Sequence, residues 1–133
     1  MIALIGFVAT LLLASTVTTS ASPIERRAYT GQASWTEQGL GACGITATDD
    51  QLVTAVQAHY FDSYPGYKGG NPNKNPLCGR NITATYNGNV VTVRVTDRSV
   101  GGAKYDLNLS PAAFNVLDNT ADGVIDGVSW VQH

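Results

Sequence analysis

The sequence predicts a mainly β fold, a small barrel that carries two short helices. Short runs of β-favouring residues alternate with glycine-rich turns, and only two segments carry helix signals. Beyond its apolar first residues the chain has about 105 to 110 residues, which is room for one domain with a modest core. Many short strands and tight turns favour a barrel over a sandwich.

The first residues predict a secretory signal peptide over 1–21. An apolar run from Ile2 to Ala14 is followed by small residues that end near Ala21 and Ser22, where we expect cleavage. A single-pass anchor is disfavoured because the run is short and polar sequence follows at once. Glu25-Arg26-Arg27 is a candidate processing site or an ordinary exposed pair, so we interpret 22–28 as a short processed or disordered segment before a domain at 29–133.

Charge and cysteine content exclude several classes of protein. The net charge is −2, whereas a nucleic-acid-binding domain normally carries clustered positive charge. The two cysteines, Cys43 and Cys78, would pair in an oxidising compartment and stabilise the fold by about 4 kcal/mol. Free thiols or a metal site are the alternatives, but His59 and His133 are isolated, so we expect neither a metal nor a cofactor.

In the first half of the chain, Tyr29 to Trp35 predicts a strand, and the glycines from Gly39 to Gly44 predict a loop. Thr48 and Gln51 fit a capping box, which predicts a helix from Asp49 to about Phe61. Its apolar face would contain Leu52, Val53, Val56 and Tyr60. Ser63 to Gly79 is a long loop, either a solvated connection or one wall of a binding site that presents Tyr60, Tyr64 and Tyr67.

In the second half, Asn81–Tyr86 and Val90–Thr96 predict a hairpin whose tight turn contains Asn87-Gly88. Ser110-Pro111 has the residues typical of a helix start. Asp122-Gly123 and Asp126-Gly127 predict turns before a final strand at Val128–Val131.

Six short motifs then carry a resemblance to a known family. They are Gly31-x-Ala-Ser-Trp35, Gly41-Ala-Cys-Gly44, Asn75-Pro-Leu-Cys-Gly79, Val95-Thr-Asp-Arg98, Asp106-Leu-Asn-Leu-Ser-Pro-Ala-Ala-Phe114 and Gly127-Val-Ser-Trp130. In this order and spacing the chain resembles the RlpA-like double-psi beta-barrel proteins, which include barwin proteins, the first domain of expansins and loosenin-like fungal proteins. The resemblance implies a six-stranded double-psi beta-barrel with a polysaccharide-binding surface groove.

The resemblance also implies the site. Asp97 takes the position of a first groove aspartate at the end of a strand, Ser34 that of a hydroxyl residue, and Trp35 that of its aromatic neighbour. The second groove acid falls on Asn108, and an amide cannot protonate a leaving oxygen, so hydrolysis by two carboxylates would need Asp106 to reach the same groove. Asp97 could instead serve only to satisfy backbone donors. The candidate substrate-binding residues are Ser34, Trp35, Asp97, Ser99, Tyr105, Asp106 and Asn108, with Asp97 and Asp106 as the candidate catalytic groups.

Two further features concern this region. Fungal relatives commonly carry paired cysteines where this chain has Ser99 and Gly102, so we expect a more mobile loop there. Asn81-Ile82-Thr83 and Asn108-Leu109-Ser110 are glycosylation sequons, and a glycan on Asn108 would block the groove.

Three functions compete. The first is a secreted, monomeric, non-hydrolytic protein that binds and loosens cell-wall polysaccharide (chitin, glucan or cellulose), with Trp35 and the tyrosines stacked on sugar rings. The second is a protein-binding module, such as an inhibitor of papain-like cysteine proteases or an effector at a host surface, with Ser63–Gly79 as its contact element. The third is a lytic enzyme that acts on glycan strands. None of these involves nucleic acid or a membrane.

Overall fold

The computed structural model describes residues 27–133. The predicted signal peptide at 1–21 and the sites at Ser22 and at Glu25-Arg26 lie outside the described residues, whereas Ala28 begins the first strand. Within 27–133, no helix is long and apolar enough to cross a membrane.

Six strands form a closed barrel, as the sequence predicts, in the order β1-β5-β2-β4-β3-β6. The strands are β1 Ala28–Trp35, β2 Val53–Gln57, β3 Asn81–Tyr86, β4 Asn89–Ser99, β5 Leu107–Leu109 and β6 Val124–Gln132. Two short α-helices, α1 Ala58–Asp62 and α2 Pro111–Leu117, lie in the connections, together with 3₁₀ turns at Pro72–Lys74 and Thr120–Asp122. Strand β1 pairs in parallel with β5 and β2 in parallel with β4, and the other four pairs are antiparallel.

The barrel interior and its ends hold the core. Alternate residues of each strand point inward, and the largest fully buried side chains include Trp130, Phe61, Phe114 and Leu77. Leu77 lies in the long loop, so this loop contributes to the core instead of lying free on the surface. The disulfide between Cys43 and Cys78 ties the same loop to the segment that follows β1, which confirms the predicted pairing.

The predicted helix from Asp49 to Phe61 is wrong over most of its length. Val53–Gln57 is strand β2, buried at every position between β4 and β5, and only Ala58–Asp62 is helical. The polar pair meant to cap the helix does interact, because Thr48 N donates to Gln51 Oε1 at 3.0 Å, but it closes a turn. A strand buried on both faces lacks the alternation of polar and apolar residues that is typical of a half-exposed strand. The apolar residues of β2 therefore matched a helical spacing by chance.

Two strands are longer than predicted. Strand β4 continues from the predicted end at Thr96 to Ser99, so Asp97 lies inside the strand and not at its end. Strand β6 begins at Val124, and the turn predicted at Asp126-Gly127 is a bulge within it: Gly31 pairs with Val128 and Ala33 with Ile125, which leaves one extra residue on β6. Gly127 has φ +77°, which a glycine adopts readily.

Two local predictions are confirmed. The hairpin turn has Asn87 at φ 47° and Gly88 at φ 80°, the positive values that join β3 to β4 tightly. Ser110 caps α2, since its Oγ accepts from Ala113 N at 3.2 Å, and Pro111 is the first helical residue.

Candidate functional site

A row of four side chains crosses neighbouring strands on the outer surface of the barrel. Ser34 of β1 pairs with Asn108 of β5, Asn108 with Ala55 of β2, and Ala55 with Asp97 of β4. Since paired strands lie about 4.8 Å apart, Asp97 and Asn108 are separated by about 10 Å. The side chain of Ala55, which lies between them, ends at its Cβ, so the surface is low at the middle of the row.

Two depressions adjoin along this row, and together we name them the polar groove. The first, of about 300 Å³, is lined by the polar residues Gln32, Ser34, Gln57, Ser99, Asp106 and Asn108, with Val100 and Val124 at its edge. The second, of about 240 Å³, lies on the other side of the row and is lined by Ala55, Thr96, Asp97 and the segment 36–41. Hydrogen-bonding groups therefore dominate a surface that is open to solvent.

Asp97 anchors the loop that follows β1. Its Oδ1 accepts from Ala42 N at 2.7 Å and from Arg98 N at 2.8 Å. The loop approaches so closely that a Cβ on Gly41 would stand 2.2 Å from the carbonyl oxygen of Thr96. One oxygen of Asp97 thus satisfies backbone donors, and its carboxylate also lines the second depression.

Asp106 has both of its oxygens engaged by the backbone. Oδ1 accepts from Gln32 N and Oδ2 from Ala103 N, each at 2.9 Å. These bonds fasten the segment 103–106 across β1 at Gly31, where an added Cβ would lie 2.3 Å from the carbonyl oxygen of Tyr105. Asp106 does line the same depression as Asn108, yet its carboxylate already serves the fold.

Asn108 and Ser34 form the centre of the row. Ser34 Oγ donates to Asn108 Oδ1 at 3.4 Å, and both side chains are half-buried. Both side chains line the first depression. Asn81, the other candidate glycosylation site, is exposed at the start of β3.

Gln57 fixes the loop that carries Ser99 and Gly102. The Oε1 of this buried glutamine accepts from Gly102 N at 2.9 Å, and a Cβ on Gly102 would lie 2.6 Å from Gln57 Cδ. A buried amide therefore holds the loop that follows β4. Sequence reasoning missed Gln57 because its segment was assigned to a helix, and it missed Gln32 although the spacing of two from Ser34 places both on one face of β1.

The family model described as "Lytic transglycolase" matches residues 28–130. The chain belongs to the RlpA-like double-psi β-barrel family. Among its relatives, a papain inhibitor from Streptomyces mobaraensis is 35% identical over 99 residues, which cover 72% of this chain and 64% of the inhibitor. An allergen homologue from Arthroderma benhamiae is 28% identical over 117 residues, 76% of this chain and 38% of that protein. This chain therefore spans less than two thirds of the length of either sequence relative.

Solved structures share the barrel. The Streptomyces papain inhibitor aligns with a TM-score of 0.71 at 30% identity, over 80% of this chain and 94% of that one. An expansin of Clavibacter michiganensis, solved alone and as a mutant in complex with cellohexaose, aligns with a TM-score of 0.63 at 24% identity, over 80% of this chain and 50% of that one. Cerato-platanin 3 of M. perniciosa aligns with a TM-score of 0.53 at 19% identity, over 79% of this chain and 94% of that one. The similarity to the expansin and to cerato-platanin 3 shows a shared fold alone.

This double-psi β-barrel keeps its aromatic residues out of the groove. Trp35 is on the face of β1 opposite to Ser34, 37% exposed, and its Nε1 donates to Thr120 O at 2.8 Å. Tyr60 and Tyr64 are buried, and Tyr105 packs on Tyr29. Trp35 and Tyr105 therefore lie apart from the five other candidate residues, all of which line the polar groove.

One ion pair among residues 27–133 joins β4 to α1. Arg98 of the double-psi β-barrel donates from Nε and Nη2 to the two carboxylate oxygens of Asp62, at 2.9 and 2.7 Å. The hydrogen bonds from Arg98 lower the pKa of Asp62 below its ordinary value. Within 27–133, no three His, Cys, Asp or Glu side chains are grouped so that they could hold a metal ion.

Proposed function

We propose that this protein is a secreted, non-hydrolytic member of its family that binds an extended neutral polysaccharide of the cell wall in the polar groove. The observation that carries the proposal is the row of side chains from Ser34 through Asn108 to Asp97, with open polar depressions on both sides. Sugar hydroxyls both donate and accept, and the amides and hydroxyls of the groove do the same.

The absence of a second free acid argues for binding without hydrolysis. Glycosidases with two carboxylates place them about 5 to 9.5 Å apart, one of them holding a proton for the leaving group. Here the side chain opposite Asp97 across Ala55 is the amide of Asn108, and both oxygens of Asp106 already accept backbone N–H groups. The disulfide supports secretion, since such bonds persist in oxidising compartments.

Binding would depend on hydrogen bonds instead of stacking. We expect modest affinity, because the groove has no aromatic residue in its lining and each hydrogen bond contributes about 0.5–1.5 kcal/mol net. The expansin mutant solved with cellohexaose is a relative in fold that accommodates a neutral glucan, which agrees with this class of ligand.

A sedimentation assay with insoluble chitin, cellulose and β-glucan tests the proposal. Asn108→Ala should weaken binding to one polymer by about two- to tenfold, the equivalent of one hydrogen bond. Asn115→Ala, the same change at an exposed position of α2, is the matched control and should bind normally. Equal binding by both variants, or release of soluble sugar by the wild type, would contradict the proposal.

A second candidate function is inhibition of a papain-like cysteine protease. It is favoured by the 35% identity to a papain inhibitor and by two apolar side chains on loops beside the groove, Leu40 at 75% and Val100 at 73% exposure. Exposed apolar residues on well-anchored loops are typical of protein contacts. The loop of Leu40 is held by the disulfide and that of Val100 by Gln57.

A papain activity assay separates the two candidates. If the protein is an inhibitor, wild type inhibits papain, whereas Leu40→Ser and Val100→Ser lose inhibition, and Val90→Ser, at an exposed valine of the hairpin, retains it. Polymer binding in the sedimentation assay with full papain activity would leave only the polysaccharide function.

A further inference from the structure

A second cavity, which shares no lining residue with the polar groove, lies at the opposite end of β1. It measures about 170 Å³, and we name it the tyrosine pocket. Its walls include Tyr29, Tyr60, Tyr64 and Tyr105, with Ser63 and Lys104 beside them. Tyr105, which the resemblance places in the groove, belongs to this pocket.

The walls are rigid because each ring packs on others. The rings of Tyr29 and Tyr105 are stacked with centroids 4.3 Å apart, and Tyr60 meets Tyr29 edge-on at 5.7 Å. Behind them the buried Trp130 lies 4.8 Å from Tyr29, and its Nε1 donates to Tyr105 O at 2.8 Å. A pocket held in this way loses little entropy when a ligand enters.

The pocket also offers hydrogen-bond donors. Tyr60 OH donates to Gln132 Oε1 at 2.7 Å, and Gln132 Nε2 donates to Tyr64 OH at 2.9 Å, so the buried Gln132 holds these two rings in place. Within the described residues 27–133, no protein hydrogen bond engages the hydroxyls of Tyr29 and Tyr105. Burial and the neighbouring Tyr105 raise the pKa of Tyr29, so its hydroxyl keeps its proton at neutral pH.

Two cations, Lys104 and Arg27, lie near the pocket, although the chain is acidic overall. Lys104 is the one charged residue among the lining residues, with its Nζ 5.6 Å from the centre of the Tyr105 ring. Arg27 is near enough to Tyr29 that its charge opposes the rise in the pKa of that phenol. A cationic ligand would meet repulsion here, whereas an anion would be attracted.

We propose that the tyrosine pocket binds a small aromatic acid, with its ring against the tyrosine walls and its carboxylate near Lys104. Aromatic rings pack favourably in edge-on and offset arrangements, which walls at such different angles provide. A cavity of about 150 Å³ is known to admit benzene, so about 170 Å³ suits one ring with a small substituent.

NMR titration of the protein with 4-hydroxybenzoate tests this site directly. Saturable shifts should appear at the pocket tyrosines, and Lys104→Ala should weaken binding by about two- to fivefold, as for an exposed ion pair. The uncharged analogue 4-hydroxybenzamide should bind wild type and Lys104→Ala equally. Lys68→Ala, at an exposed lysine outside the pocket lining, is the matched control and should change neither affinity.

A second variant keeps the test independent of Lys104. Ser63 is exposed at the pocket wall, so Ser63→Trp should fill the cavity and abolish binding while the fold remains intact. Absence of saturable shifts, unchanged binding in Ser63→Trp, or displacement of the probe by cellobiose would overturn the proposal. Asn108→Ala should leave the titration unchanged, so failure here is distinct from failure of the groove.

Discussion

At the scale of single residues, two glycines and two aspartates position the segments that lie beside the groove. Gly31 and Gly41 each lie under another segment, with the carbonyl oxygens of Tyr105 and Thr96 at 2.3 and 2.2 Å from where a Cβ would stand. Real Cβ atoms do not come so near to backbone oxygen. Asp106 and Asp97 then fasten the two overlying segments.

Gly31→Ala should therefore destabilise the protein by about 1–3 kcal/mol, because the segment 103–106 has to move off β1. Urea unfolding measures the loss. Gly39→Ala is the matched control, since nothing lies within 4 Å of its Cβ position and its φ is not positive, so its stability should be unchanged or slightly higher. Equal stability of both variants would show that the segment yields without cost.

Asp62 provides a prediction on pH. Arg98 lowers the pKa of Asp62 in the folded protein, so the pair contributes stability above the unfolded pKa of about 3.9, and the contribution is lost as the pH falls through the lowered folded value. Because more than a third of each side chain is exposed to solvent, at 35% and 47%, the gain at pH 7 should be below about 1 kcal/mol.

Urea unfolding of wild type and Arg98→Gln checks this dependence. The free energies of unfolding of the two proteins should differ at pH 7 and become equal at a pH below the folded pKa of Asp62. Arg80→Gln removes an exposed arginine that forms no salt bridge within the described residues. This variant should be as stable as wild type at both pH values. A difference between wild type and Arg98→Gln that persists in acid would assign the effect to packing of the arginine stem.

At the scale of elements, β2 supports both sides of the site. Ala55 forms the low centre of the row, and Gln57 holds the loop that contains Val100. This strand is also where sequence reasoning failed. Hairpin turns and helix caps depend on a few neighbouring residues, so the sequence predicted them correctly at Asn87-Gly88 and Ser110-Pro111. Strand β2 instead depends on its pairing with β4 and β5 on either side, which are distant in the sequence.

Gln57→Leu should release the loop 100–102 while it conserves most of the buried volume, because leucine cannot accept from Gly102 N. Amide hydrogen exchange is the measurement, and the Gly102 amide should exchange faster by about fivefold, as expected for the loss of one hydrogen bond of about 1 kcal/mol. The amide of Ala103, which donates to Asp106, serves as an internal control and should change little. Unchanged exchange at Gly102 would mean that other contacts hold the loop.

At the scale of the whole molecule, the barrel and its disulfide were predictable and the site was so only in part. The ordered motifs identified the family, and the two cysteines of a chain predicted to be exported indicated their own pairing. The composition of the polar groove depends on which residues of β1, β5, β2 and β4 become register partners. Trp35 illustrates the difference: its neighbour Ser34 is in the groove, but the strand alternation turns Trp35 away.

The disulfide should dominate the stability of this small domain. Replacing both Cys43 and Cys78 by alanine should lower the free energy of unfolding by about 4 kcal/mol, since the bond closes a loop with a sequence separation of 35. Urea unfolding of the variant measures the loss. Wild type with its disulfide reduced should lose about the same free energy of unfolding. A loss far smaller than this would indicate that the unfolded chain is already compact around the loop.

The closure of the barrel constrains how the chain can fold. Strand β1 has no partner other than β5 and β6, and Ala28 pairs with Val131. During synthesis β1 emerges first, but its partners emerge last, so it has to wait unpaired while the hairpin of β3 and β4 can form early. Contacts between such distant parts of the chain slow folding, and the barrel can close only after β6, the last of its six strands along the chain, has been made.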